Sequence, residues 1–206
     1  MPILLHINVD HVATIRNARG TPYPDPCFAA QICEQAGADG ITAHLREDRR
    51  HIRDSDIARL KSVVQTLLNL EMAATDEMIA IAAATRPEVI TLVPERREEQ
   101  TTEGGLDVVG QHDAIVKALT MAKEHGIKTS LFIAAEIADV EASREIGAEQ
   151  IELHTGDYCH DPSAAQLDRL AKAAARAKEL ASRWRRGTGS RGTTWWRWRR
   201  SPRSKS

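Results

Sequence analysis

Cysteine is scarce in this chain. Cys27, Cys33 and Cys159 are odd in number and show no CxxC spacing, so neither a disulfide framework nor a zinc knuckle organises the fold. No apolar run approaches the roughly 20 residues a membrane-spanning helix needs. The short stretch Ile3 to Leu5 has neither a basic leader nor a cleavage site behind it. The expectation is a cytosolic protein with no membrane association. No GxGxxG follows the first apolar strand and no GxxxxGK[ST] occurs anywhere, which leaves dinucleotide and P-loop sites without support. Lysine is missing from the C-terminal ends of the expected strands, with Lys128 beginning its strand, so a Schiff-base aldolase is disfavoured.

What is present suits one ordinary domain: 206 residues, 42% hydrophobic and 28% charged. The formal net charge of −1 hides an asymmetry. Residues 183–206 carry eight Arg, one Lys and no acid, leaving 19 basic against 29 acidic residues in 1–182, a net −10. All four tryptophans (Trp184, Trp195, Trp196 and Trp198) also lie in that tail.

Before the tail, short β-rich runs alternate with longer helical patterns, the signature of βα units on a parallel sheet. Six strands are expected: Ile3 to Val9, Gly40 to Leu45, Asn69 to Ala73, Val89 to Pro94, Lys128 to Ile133 and Gln150 to His154. Asp25-Pro26 and Asp161-Pro162 each set a capping carboxylate before a proline at a helix start. Gly37, Gly126 and Gly147 suit helix ends just before strands. Polar residues gather after nearly every strand: Asp10 and His11, His44 and Arg46, Glu71, Glu95, and Glu152 with His154. An open sheet would collect them at one switch point, whereas a barrel brings all the strand ends to one face. The fold class read from this is α/β, a TIM (β/α)8-type barrel with six βα units present.

Several of these residues suit chemistry. Asn8-Val9-Asp10-His11 closes an apolar strand with three polar side chains, a costly arrangement unless they meet water, a ligand or one another. Metal-dependent barrels often place HxH at this point, and Asp10-His11 departs from it. His44 and Arg46 share a face at period two. The following Glu47, Asp48, Arg49 and Arg50 read individually as a solvated loop, while Arg46 and His51 suit an anion such as phosphate. Glu71 sits inside an otherwise apolar strand, where desolvation raises a carboxyl into the range useful for acid–base work. A buried Glu paired to Arg is the structural alternative there. Glu152 in Ile151-Glu152-Leu153-His154 repeats that pattern, and His154 equally fits a core histidine. The long polar stretch Glu95 to Gly110 suggests a ligand loop.

Taken together, Asn8 to Gly20, Thr42 to Ile52, Asn69 to Ala73, Thr101 to Asp107 and Ile151 to Gly156 resemble the pyridoxine 5′-phosphate synthase family, from about residue 3 to about residue 180. The resemblance implies a TIM barrel that condenses 3-amino-2-oxopropyl phosphate with 1-deoxy-D-xylulose 5-phosphate. The products are pyridoxine 5′-phosphate, phosphate and water, made without a cofactor or metal. It implies Asn8 and Arg19 at the amino-ketone phosphate, and Asp10, His11, Arg46, His51 and Thr101 at the deoxyxylulose phosphate. His44 and Glu71 become the acid–base pair, and Glu152 stabilises charge on intermediates. It further implies a homo-oligomer, an octamer in the family.

The resemblance breaks at residues 183–206, where the family's seventh strand with a glycine-flanked histidine and its eighth strand with a Gly-His phosphate site find no counterpart. GC-rich codons chosen for Arg185 to Trp198 and read two nucleotides later spell PGHGLAGHDVVAL, which resembles that seventh segment. The expectation is therefore an incomplete barrel domain over 1–182, a frameshifted, disordered tail and little turnover. Two other readings stay open: a metal-dependent sugar-phosphate aldolase or epimerase using His11, His44 and His154, and nucleic-acid binding through the Arg/Trp tail, the less favoured partner.

Overall fold

The computed structural model describes residues 4–95 and 104–188. Six strands, β1 (His6–Asn8), β2 (Gly40–His44), β3 (Leu68–Met72), β4 (Val89–Leu92), β5 (Lys128–Ile133) and β6 (Gln150–Leu153), form one sheet in that order. Every neighbouring pair is parallel. Strand order never reverses, so there is no switch point, and right-handed crossovers place the connecting helices on one face. The sheet curls into a half-barrel, the incomplete (β/α) barrel expected from the six units.

The eight helices among the described residues are α1 (Asp10–Arg19), α2 (Pro26–Gln35), α3 (Asp54–Val63), α4 (Asp76–Thr85), α5 (His112–Glu124), α6 (Ile137–Glu145), α7 (Gly156–His160) and α8 (Ala164–Thr188). Period-two alternation sorts the strand residues between the faces. Ile41 and Ala43, Leu68, Leu70 and Met72, and Ile90 and Leu92 are buried in the apolar core. That core includes Ala30, Ile57, Leu60, Met78, Ala82, Ile115, Ala118 and Ala122 from the helices. The intervening Thr42, Asn69 and Thr91 are buried too. They satisfy one another: Asn69 Nδ2 donates to Thr42 Oγ1 at 3.3 Å and Thr91 Oγ1 donates to Asn69 Oδ1 at 2.9 Å.

Asp25 caps α2 as expected, accepting the Cys27 N–H at 3.0 Å with Pro26 in the first helical position. Gly37, Gly126 and Gly147 take φ of 97°, 69° and 94°, the left-handed region that suits glycine at a helix end. Three local expectations need correction. Asp161-Pro162 does not start the last long helix. The Asp161 N–H closes the short α7 by bonding Asp157 O at 2.9 Å, and α8 begins three residues later, at Ala164. Asp10 and His11 are not strand-end residues, because α1 begins at Asp10 directly after Val9. Finally, α8 runs to Thr188, across the composition break after residue 182. Residues 189–206, the remainder of the tail expected to be disordered, lie outside the described residues.

Candidate active site

The C-terminal ends of β1 to β4 converge on a cluster of buried ionisable groups. Asp10 is fixed first. Its amide donates to Asn8 Oδ1 at 2.8 Å, its Oδ2 accepts from Asn8 Nδ2 at 2.9 Å, and its Oδ1 accepts the His44 amide at 2.8 Å. One carboxylate thus ties the end of β1 to the end of β2, while its charge sits favourably in the first turn of α1.

His44 and Glu71 are register partners on β2 and β3. His44 Nδ1 lies 4.0 Å from Glu71 Oε2, too far for a hydrogen bond and close enough for both groups to reach one substrate atom or water set off the line between them. Its other nitrogen, Nε2, is 2.8 Å from Glu95 Oε1. Burial, then the nearby carboxylates of Glu152 and Asp10, push the Glu71 carboxyl well above its ordinary range. A proton therefore stays on Glu71 far more readily than on an exposed glutamate. Across a flat sheet, β3 and β6 would stand about 14 Å apart. The influence of Glu152 on Glu71 reflects the curl that turns both onto one concave face.

Glu152 is raised as well, by desolvation among the surrounding protein atoms. Its side chain nevertheless remains open to solvent at the β6 side of the half-barrel, so water tempers that shift. Burial also acts to raise Glu95, but the His44 contact and the hydrogen bond from the Glu47 amide outweigh it and hold Glu95 below the usual carboxylate range. His51 is lowered, first by burial, with the Asp10 carboxylate opposing. Its Nδ1 accepts the Ile52 N–H at 2.9 Å, which places the proton of the neutral ring on Nε2.

His51 is held by a buried network. Arg16 forks onto Asp56 at 2.6 and 2.9 Å and donates to His51 O at 3.1 Å, and Asn17 Nδ2 donates to the same oxygen at 2.9 Å. The neighbouring Arg46 is 2% exposed, with Nε 3.5 Å from Asp48 Oδ1. Asn8, Asp10, His44, Arg46, His51 and Glu71 thus fall in one neighbourhood, with Glu152 facing them. His11 is exposed on α1. Arg19, with its guanidinium carbon 5.5 Å from the Tyr23 ring centre, ends that helix about 14 Å along its axis from Asp10. Thr101 lies outside the described residues.

Among the described residues, Asp10, His44 and His51 form the one group with metal-ligand spacing, their ligand atoms within 4.8 Å of one another. The trio expected of a metal enzyme, His11, His44 and His154, does not assemble: His11 is exposed and His154 packs edge-on against Phe132 at 5.4 Å. Nor does the assembled group fit a cation well. The Ile52 amide commits His51 Nδ1 as an acceptor, so Nε2 presents a proton and not a lone pair. That donor suits an anion. Sequence reasoning noted Glu95 only as a polar residue after a strand and missed Arg16, Asn17 and Asp56. Their side chains meet the site across 34 to 51 positions of chain, leaving no local pattern to detect.

An acid–base cluster set at the C-terminal mouth of a curled parallel sheet defines an enzyme of the (β/α)-barrel class. The profile of the family described as pyridoxal phosphate biosynthesis protein PdxJ matches residues 5–190, and the chain belongs to that family. It is 54% identical over 191 residues to the pyridoxine 5′-phosphate synthase of Photobacterium profundum, covering 91% of this chain and 79% of that one. It is 57% identical over 182 residues to the enzyme of the same name from Aliivibrio fischeri, covering 88% and 75%. Solved structures show likeness in fold alone. The 3-dehydroquinate dehydratase of Aquifex aeolicus VF5 matches with TM-score 0.52 at 12% identity over 86% of this chain and 74% of that one. A mandelate oxidase matches with TM-score 0.55 at 11% identity over 85% and 64%. No helix among the described residues is long and apolar enough to cross a membrane.

Proposed function

We propose that the chain is a pyridoxine 5′-phosphate synthase, joining 3-amino-2-oxopropyl phosphate to 1-deoxy-D-xylulose 5-phosphate. The observation that carries the reading is the facing pair His44 and Glu71 across a 4.0 Å gap, where burial and neighbouring carboxylates favour the protonated form of Glu71. The amine comes with the substrate, so the protein needs no nucleophilic lysine, only proton carriers and anchors for two phosphates. His44 Nδ1 takes a proton from the condensing carbon skeleton while Glu71 delivers one to a departing hydroxyl. Glu152 faces the cationic imine. Arg46 and the Nε2–H of His51 hold the deoxyxylulose phosphate, with His11 and Thr101 completing its contacts. Asp10, whose two oxygens already accept protein hydrogen bonds, keeps lone pairs for a sugar hydroxyl. Asn8 and Arg19 serve the second phosphate. The working form is a cytosolic homo-oligomer.

Calorimetric binding of 1-deoxy-D-xylulose 5-phosphate tests the site, beside chromatographic detection of pyridoxine 5′-phosphate when both substrates are supplied. Arg46→Ala removes charge-assisted hydrogen bonds of about 1.5–3 kcal/mol and is expected to weaken binding roughly ten- to a hundredfold. Glu71→Gln is expected to keep binding and to abolish the turnover, expected to be small, that the parent chain retains. A parent chain that fails to bind the sugar phosphate overturns the reading.

A further inference from the structure

Glu95 lies three residues beyond the end of β4 and is not itself a member of the acid–base pair. Its Oε1 meets His44 Nε2 at 2.8 Å with both side chains 5% exposed, and its Oε2 accepts the Glu47 N–H at 3.0 Å. We infer that Glu95 is a positioning residue, fixing His44 as the Nε2–H tautomer so that the Nδ1 lone pair is aimed at Glu71. The functional meaning rests on the acid–base reading above; the tautomer assignment rests on geometry alone.

An ionised carboxylate only accepts hydrogen bonds, so the ring nitrogen facing it must donate. With the ring neutral, that leaves the lone pair on Nδ1, 4.0 Å from Glu71 Oε2. The opposite tautomer would point an N–H at a protonated carboxyl, and the pair would then hold two donors and no base. Glu95 does a second service through its other oxygen. The Glu47 amide follows Arg46 directly, so one carboxylate holds both the imidazole and the start of the loop that carries the guanidinium.

Glu95→Gln gives a sharp test, because an amide has one acceptor oxygen where the carboxylate has two. The Glu47 backbone N–H can only donate and claims that oxygen. The amide NH2 is then turned to His44 Nε2, which must become an acceptor. Nitrogen-15 spectra of histidine-labelled full chain at about pH 8, above the ordinary histidine range, with the His44 signal assigned by its loss in His44→Gln, read which nitrogen carries the proton. The expected result is Nε2–H in the parent and Nδ1–H in Glu95→Gln. A second variant controls for general disturbance. Arg49 N–H bonds Arg46 O at 3.0 Å, so Glu47 occupies the second position of a turn, where proline is favoured. Adding Glu47→Pro to Glu95→Gln removes the competing N–H and frees the introduced side-chain carbonyl. The double variant is expected to return His44 to Nε2–H. A parent ring protonated on Nδ1 or on both nitrogens, a Glu95→Gln ring that stays Nε2–H, or a double variant that stays Nδ1–H each overturns the inference. The readout needs no turnover, so failure of the synthase reading and failure of this one are distinguishable.

Discussion

Keeping a proton on Glu71 works against the fold as pH rises. Burial and the Glu152 and Asp10 charges raise its folded-state pKa above the unfolded value, near 4.3 for glutamate. For an acid shifted upward, the stabilising contribution is fully present below the unfolded pKa and is lost as pH climbs through the folded one. Glu71→Gln cannot ionise and is isosteric. It is expected to raise the urea midpoint at pH 7.5 while leaving it near the parent's at pH 4, the opposite of what deleting a stabilising contact does. Equal midpoints for parent and variant at pH 7.5 would count against a strained carboxyl at this position. The trade of stability for chemistry is common at active sites. His44 and Glu71 were legible in the sequence because each is an ionisable side chain at the C-terminal end of an otherwise largely apolar strand, which is costly without purpose. Glu95 was not legible as a partner of His44, since the contact depends on side-chain reach between the ends of β2 and β4.

At the scale of elements, α1 and α3 are joined by the Arg16–Asp56 fork, whose side chains are 7% and 3% exposed. Asp56 also accepts the Arg53 amide at 2.9 Å, closing the first turn of α3, while Arg16 reaches the carbonyl of His51. The pair thus positions the loop between β2 and α3 as well as the two helices. Asp56→Ala leaves a buried guanidinium without its counter-charge, which costs about 3–5 kcal/mol. Replacing both partners by apolar residues, Arg16→Met with Asp56→Ala, is expected to recover much of that loss in urea denaturation, while the His51 loop loosens in either case. A single variant within about 0.5 kcal/mol of the parent would show that the fork is not buried as described. The elements themselves were largely readable: the glycines at 37, 126 and 147 mark helix ends by a positive φ few other residues accept, and Asp25 marks a helix start through its capping carboxylate. The Asp161-Pro162 signal misled because the same cap chemistry sits between two helices, and the Asp161 amide is consumed in ending α7. Arg16 and Asp56 gave no sequence signal, since a charge on an amphipathic helix ordinarily faces water.

For the molecule as a whole, the sheet order follows the chain order, so each strand pairs with its neighbours in sequence and the outer edges of β1 and β6 carry no strand partner among the described residues. The alternation of strands and helices foretold the parallel sheet, and the polar residues after nearly every strand favoured this order over a doubly wound one. The closeness of Glu152 to Glu71 was foretold only through the barrel reading, because curl is a property of the packed sheet and not of any segment. Burial falls in step with position. Every residue of β2 and β4 is buried, β3 is buried apart from the half-buried Glu71, and β6 has no buried residue at all. Local opening follows the number of buried contacts and protected hydrogen bonds that must be broken. Amide exchange followed by mass spectrometry should therefore rank β2, β3 and β4 slowest, β5 intermediate, and β1 and β6 fastest, with the β6 peptide exchanging before global unfolding. Unpaired edges of this kind also template association. Exchange at β6 should accordingly slow as protein concentration rises while that of β3 stays constant. Uniform protection across all six strands at every concentration would mean that β6 already has a partner, and that Glu152 lies as dry as Glu71.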